Sequence, residues 1–438
     1  MSSPRIAVVG GGISGTLCSL ILRNRGLTPV VFDKGHRQSG GRLGGGMNPD
    51  SGAQFIRGTD PRVVNVLAML QGANILEEWK GRFGFLGSKG GFLSAEVVGT
   101  SSIHAMGKEN ELVLQGNDEG DFCGFINNRG KTYVGHDSMA TICANILKEC
   151  SVEVHTNSTL LQHIPPTFNT TSEDETWKLQ FEGQGEVSPL MKFDGLVITT
   201  HDPILAAGVV DSILKTSDAQ IVDQWESTEK QLKAFSSDLR HTTHTSGCTL
   251  SAYYPVNALS SVLPFDAVSL PSSHILQFLS RDASKPARKP SHFIDINGST
   301  KTMETELWTA VATAQFSESM RANQKGSLPN RWHEEKALSI MNRELSRLLS
   351  LYFNKDEAAV PQPVSAHAKF WGRAFIDKGL VLNEDCVGLE PWSVVVAGDF
   401  IRKMTSAVED GPSSPFEAAA LSGLDAGERM ASFFNPTQ

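Results

Sequence analysis

Arg5-Ile6-Ala7-Val8-Val9-Gly10-Gly11-Gly12-Ile13-Ser14-Gly15, followed by a second apolar run from Thr28 to Phe32 that closes on Asp33, is the part of the sequence that decides the fold. The first five residues predict a buried strand. After the glycines, Ile13, Leu17, Leu20 and Ile21 recur at helical spacing as far as Gly26. Strand, tight turn, helix, second strand and terminal acid in that order form the cradle of a dinucleotide. Each residue type has a physical task. Gly10 permits the turn, Gly12 lets the backbone approach a pyrophosphate, and Gly15 lets helix and strand pack closely. The helix start at Ile13 and Ser14 offers free N–H groups and a partial positive charge to phosphates, and Asp33, with Lys34 beside it, is placed to meet a ribose. This motif reads only the ADP half of the ligand, so NAD and FAD remain open at this point.

Bulk properties agree with a small-molecule enzyme. At 438 residues the chain is too long for one ordinary core, and 40% hydrophobic with 20% charged residues is the balance of a globular protein. A formal charge of −9 argues against nucleic acid or an anionic membrane as partner. The six cysteines are scattered without a framework spacing, which implies a reducing compartment. Met1 to Pro4 run straight into the first strand without a signal-peptide pattern, and no apolar run approaches bilayer length. The expected location is the cytoplasm, or an organelle stroma or matrix after removal of a targeting segment, and not the secretory route.

Two further segments narrow the cofactor. Ser39-Gly40-Gly41-Arg42-Leu43-Gly44 is followed by Asp50-Ser51-Gly52-Ala53-Gln54-Phe55, a glycine-dense loop in which one guanidinium could pair with a diphosphate. Near the other end, Val394 to Ala397 leads into Gly398-Asp399-Phe400, and Ser414-Pro415-Phe416-Glu417-Ala418 starts a helix. Ser414 as N-cap, Glu417 three residues on and Pro415 at the first helical position predict a reciprocal capping box.

Taken together these segments resemble the flavin amine oxidases, and within them the renalase-like proteins. The resemblance implies FAD as cofactor. It implies that Gly41 and Arg42 contact the pyrophosphate, that Gly52, Ala53, Gln54 and Phe55 pass the flavin, that Asp399 after Gly398 binds near the ribityl or pyrophosphate region, and that the helix start at Phe416, Glu417 and Ala418 faces the ring. The link from Ile401 to Ser413 is longer than is usual in that family. His367-Ala368-Lys369-Phe370-Trp371 is similar to a renalase segment leading to the flavin, which makes Trp371 and Phe400 candidates for the substrate space or for core packing. The Tyr133-Val134-Gly135 segment before Met139 is also renalase-like, with Asp137 as the expected N-cap of the helix that follows.

The implied fold is α/β, a Rossmann-like FAD-binding domain with an inserted α+β substrate domain of the amine oxidase type. Residues 1–58, 131–200 and 366–438 are expected in the first, and 59–130 and 201–365 in the second. Phe193 to Thr200 reads as a buried parallel strand of the nucleotide sheet, and Leu338, Met341, Leu345, Leu348 and Tyr352 as one face of a long helix. Arg281, Lys285, Arg288 and Lys289 read as a solvated basic loop between two strands.

His241, His244 and Cys248 are close enough in sequence to consider a metal, but no fourth ligand is near and the family uses none. The expected activity is hydride transfer from a C–H beside nitrogen, in an amine or dihydropyridine, to flavin. A desaturase or porphyrinogen-type oxidase, and a flavin-free escort protein of the same architecture, are the alternatives.

Overall fold

The computed structural model describes residues 3–44, 50–87, 91–94, 131–166, 176–216, 225–288, 291–294, 302–322, 330–404 and 414–434. Gly45, Gly46, Lys289 and most of the 401–413 link lie outside them.

Arg5–Val9 and Thr28–Phe32 pair in parallel, joined by the helix Ile13–Asn24. Gly195–Ile198 pairs in parallel with the other side of Arg5–Val9, and Val394–Ala397 with Gly195–Ile198. Glu153–His155 lies beside Thr28–Phe32, and Cys386–Leu389 forms an antiparallel edge, completing six strands. Such strands are apolar on both faces because both are covered. Ile6 and Val8 pack with Cys18, Leu22, Ala426 and Met430 of the first and last helices. Ala7 and Val9 pack on the opposite side with Trp177, Phe181, Ala206 and Val210.

The last helix, Pro415–Phe434, is seated directly on the first. Gly423 and Gly427 make this possible: a Cβ at Gly423 would overlap Ser14 backbone, and one at Gly427 would meet the Ile21 side chain at 2.6 Å.

A second sheet runs in the order Ser365–Lys378, Thr243–Pro255, Thr302–Ala312, Leu276–Arg281, Ala267–Ser269, Phe83–Leu86, Phe92–Ser94. One face is apolar and covered by Ala314–Ala322 and Asn330–Phe353, through Phe316, Met320, Ala337, Met341 and Leu345. The other face carries hydroxyls and looks toward the first sheet's loops.

Ser365–Lys378 pairs along Thr243–Pro255, so the chain rejoins the nucleotide sheet at Cys386 and not at residue 366. The helix expected after Asp137 begins at Ile142, and Ser138 rather than Asp137 accepts from Thr141 N–H in the turn before it.

Candidate active site

The three motif glycines occupy three different environments. Gly10 has φ +115°, and a Cβ there would lie 2.8 Å from Thr199 Oγ1. A Cβ at Gly15 would overlap the carbonyl oxygen of Gly10, whereas one at Gly12 would meet nothing within 4 Å. Gly12 is also the N-cap of the first helix, which has no capping side chain and no acidic residue in its first turn. That helix start therefore presents N–H groups and a positive dipole end with no side-chain cap and no acid of its own first turn. Gly41, with φ +54°, sits over Gly12, its Cβ position 3.4 Å from Gly12 Cα, so the second glycine segment lies on the first.

Asp33 is engaged by the protein itself. One carboxylate oxygen accepts from Gly11 N–H at 2.6 Å and the other from Gly35 N–H at 2.6 Å. Each oxygen retains a second acceptor direction, and Lys34 beside it is exposed.

Arg42 and Asp399, given separate tasks from sequence, form one ion pair at 2.6 Å, with Arg42 also donating to the Ala374 carbonyl at 2.9 Å. The guanidinium side chain is 28% exposed and the carboxylate 4%, so the arginine is the partner that faces outward. Gly398, at φ +146°, turns the chain here and donates its N–H to Ser422 Oγ at 2.8 Å. The same turn sends Phe400 back into the core at 0% exposure, beside Trp392 and Ile401. Phe400 is therefore packed in the core, one of the two places the sequence left open for it.

At the last helix, Ser414 Oγ accepts from Glu417 N–H at 3.1 Å, as expected of an N-cap. The reciprocal half of the box does not form. The buried Glu417 carboxylate accepts instead from the N–H groups of Thr59 and Asp60, the latter at 2.7 Å, and so braces the start of the helix Pro61–Gly72. Ala418 is buried, Phe416 partly so, and Ser14 Oγ donates to the Ala419 carbonyl at 2.8 Å. Two helix starts from opposite parts of the sequence thereby converge, with Ile13 and Ser14 on one and Phe416 and Ala418 on the other.

The Asp50–Gln54 turn lies against this centre: Ala53 N–H donates to the Arg42 carbonyl at 3.1 Å, and a Cβ at Gly52 would overlap it. Gln54, 2% exposed, staples the turn, its amide nitrogen donating to Asp50 O at 2.6 Å and Gly52 O at 3.1 Å. Its carboxamide is thus engaged by the protein itself. Phe55 lies 6.0 Å from the Phe278 ring.

The second sheet docks on the same turn. Thr249 Oγ1 and Trp371 Nε1 both donate to Ser51 O, at 2.9 and 3.3 Å, and Ser280 Oγ donates to Gln54 Oε1 at 3.1 Å. Trp371, half-buried, stands at the edge of this junction.

The basic loop is not solvated. Lys285 is 0% exposed, with its ammonium 3.1 Å from Asp50 and 3.4 Å from Asp282, while Arg288 lies 3.1 Å from Asp50. Burial alone would raise Asp50, but Lys285 and Arg288 outweigh it and hold the carboxyl down at about 2.

Sequence reading missed His201, which follows the Gly195–Ile198 strand. The general tendency of ligands to lie beyond the carboxyl ends of parallel strands could have flagged it. Burial, then Arg42 and Lys34, push its imidazole down to about 4, and Arg373 nearby pairs with Asp202 at 2.5 Å. His201 is thus neutral in the folded protein while the unfolded chain protonates below its ordinary 6.5. Protons then bind preferentially to the unfolded state between those values, so stability falls as pH falls from about 6.5 to 4. His201→Gln is expected to flatten that part of a plot of urea midpoint against pH. An unchanged slope would contradict this assignment.

His241 bonds to the Ser237 carbonyl, His244 to the His201 carbonyl, and Cys248 lies in the apolar core of the second sheet. Among the described residues no group of three or more His, Cys, Asp or Glu side chains is arranged to hold a metal ion, and no helix is long and apolar enough to cross a membrane.

Residues 8–70 match the profile of the NAD(P)-binding Rossmann-like domain. No curated protein sequence matches the chain. Solved structures match along its whole length. A triple mutant of putrescine oxidase superposes with a TM-score of 0.56 at 12% identity, covering 97% of this chain and 98% of that one. Cyclohexylamine oxidase from Brevibacterium oxydans gives 0.52 at 13%, covering 99% and 100%. Aklavinone-11 hydroxylase, solved with FAD and aklavinone, gives 0.51 at 11%, covering 99% of this chain and 63% of that one. The chain therefore has the α/β fold of the amine oxidases, with a Rossmann-like nucleotide-binding domain at its start.

Proposed function

We propose that this protein is an FAD-dependent oxidoreductase that takes hydride from a carbon beside nitrogen in an amine or dihydropyridine-type substrate, of the renalase-like kind. In this reading the first sheet carries the cofactor and the hydroxyl-bearing face of the second holds the substrate. One observation carries it: the first helix begins without a cap or an acid at Gly12, in open space, where Gly41 and the last helix converge and Arg42 stands half-exposed. Lys34, Arg42 and Arg373 add a positive field around His201, which suits a diphosphate.

Bound FAD would supply the two-electron acceptor. The protein's share is to orient and to exclude water. Gly11, Gly12 and Gly41 would let backbone approach the diphosphate, Arg42 held by Asp399 would meet its charge, and Gly52 and Ala53 would support the ring. A polar substrate is favoured over the apolar one of a desaturase. His367, Ser251, Thr309 and Ser280 stand side by side on four adjacent strands, on the face that meets the Asp50–Gln54 turn.

The test is direct. The purified chain, loaded with FAD and freed of excess, is expected to keep a stoichiometric flavin spectrum and to bleach anaerobically with a dihydronicotinamide or an amine. A chain that retains no flavin overturns the proposal and favours the escort reading.

A further inference from the structure

The buried ion cluster at Lys285 lies outside the groups that would touch the cofactor, yet it grips the segment that would support the flavin. Fully burying an ammonium carries a large desolvation cost, and partners must offset it. Here they are Asp50, Asp282 and the Gln54 carboxamide oxygen at 3.4 Å, with the Trp79 ring 5.7 Å away. Asp50 uses its other oxygen to accept from Met139 N–H at 2.6 Å. Gln54 receives donors from Ser280 and Lys285 on its oxygen, so its nitrogen must face the carbonyls of Asp50 and Gly52. The orientation of that carboxamide, and with it the curl of the turn, is set by groups on the second sheet and its following loop. Two lysine contacts, one from Arg288, one from Ser280, and those of Thr249 and Trp371 with Ser51 all converge on residues 50–54.

We propose that Lys285 is a positioning residue that latches the Asp50–Gln54 turn to the second sheet and so shapes the flavin platform, making cofactor affinity depend on a residue that does not touch the cofactor. This rests on the flavin reading above. The depressed Asp50 carboxyl agrees with it.

The experiment separates latching from mere charge balance. Lys285→Met alone strands Asp50 against Arg288 and costs stability. Lys285→Met combined with Asp50→Asn removes one charge of each sign and leaves Arg288 with Asp282, 3.9 Å apart. Asn at 50 still has an oxygen for Met139 N–H. The double variant is expected to melt like wild type, to bind FAD about tenfold or more weaker, and to show a shifted visible flavin spectrum. Wild-type affinity and spectrum in a stable double variant overturn the latch.

Ser280→Ala removes one of the donors on Gln54 without touching any charge, and is expected to weaken FAD binding a few-fold at unchanged melting temperature. It carries the test if the double variant does not fold, and unchanged FAD binding in it likewise overturns the latch. Wild-type protein that takes up no FAD overturns the flavin reading, and the latch with it, before any variant is compared. Wild-type uptake with unaltered variants overturns the latch alone.

Discussion

Gly12→Glu is expected to give a chain that folds and melts like wild type but takes up no FAD. The backbone at Gly12 has φ −77° and ψ −173°, which any residue adopts, and a Cβ there points into open space. Folding therefore has no steric reason to suffer. The carboxylate would instead lie at the uncapped start of the first helix, satisfying the N–H groups offered to a diphosphate and adding like charge where the phosphates belong. Like-charge juxtaposition of this kind costs several kcal/mol, so FAD affinity should fall by at least about a hundredfold. Flavin-to-protein ratio after loading, measured beside a thermal melt, checks both halves. A stable variant with stoichiometric flavin would contradict the cradle, and Gly12→Ala, whose methyl group would stand where the backbone is to approach the diphosphate, should fold normally and bind FAD more weakly than wild type.

Gly15→Ala is expected to do the opposite. Its Cβ would overlap the carbonyl oxygen of Gly10 and come within 2.6 Å of Thr199 Oγ1. The first of these is backbone belonging to the turn itself, so no side-chain rotation relieves it. Overpacking against a rigid element costs about 1–3 kcal/mol and occasionally more, and this position belongs at the upper end. The urea midpoint should drop by the corresponding amount even without cofactor. A midpoint within error of wild type would show that strand and helix are not as close as the structure places them. Within one motif, then, one methyl group is tolerated and another is not.

What the sequence made legible was what is local. The strand, turn, helix and strand over residues 5–32 lie where hydrophobic periodicity predicts them, because each is decided by neighbours a few residues away. The Ser414 cap is likewise a short-range device. What was hidden depends on partners far along the chain. Glu417 was expected to turn back to its own helix start, but one of its oxygens accepts from backbone N–H groups 357 to 358 positions earlier. Lys285 sits in a loop of four cations that charge counting assigns to solvent, and only the fold brings Asp50, 235 positions away, into contact with it. Arg42 and Asp399 were both placed near the cofactor, yet nothing in either motif said that they pair with each other. For Phe400 the sequence left substrate space and core packing open, and its burial beside Gly398, Trp392 and Ile401 favours packing, which again depends on partners the motif does not name.

The seating of the last helix on the first bears on how the chain is made. Gly423 and Gly427, which let the last helix seat on the first, are synthesised some 400 residues after that first helix. Until then Cys18 and Leu22 lack Ala426 and Met430, and the nascent chain carries one face of the sheet half-covered. Closing such a distant contact is entropically slow, so the nucleotide sheet waits for the late helix before its face is covered.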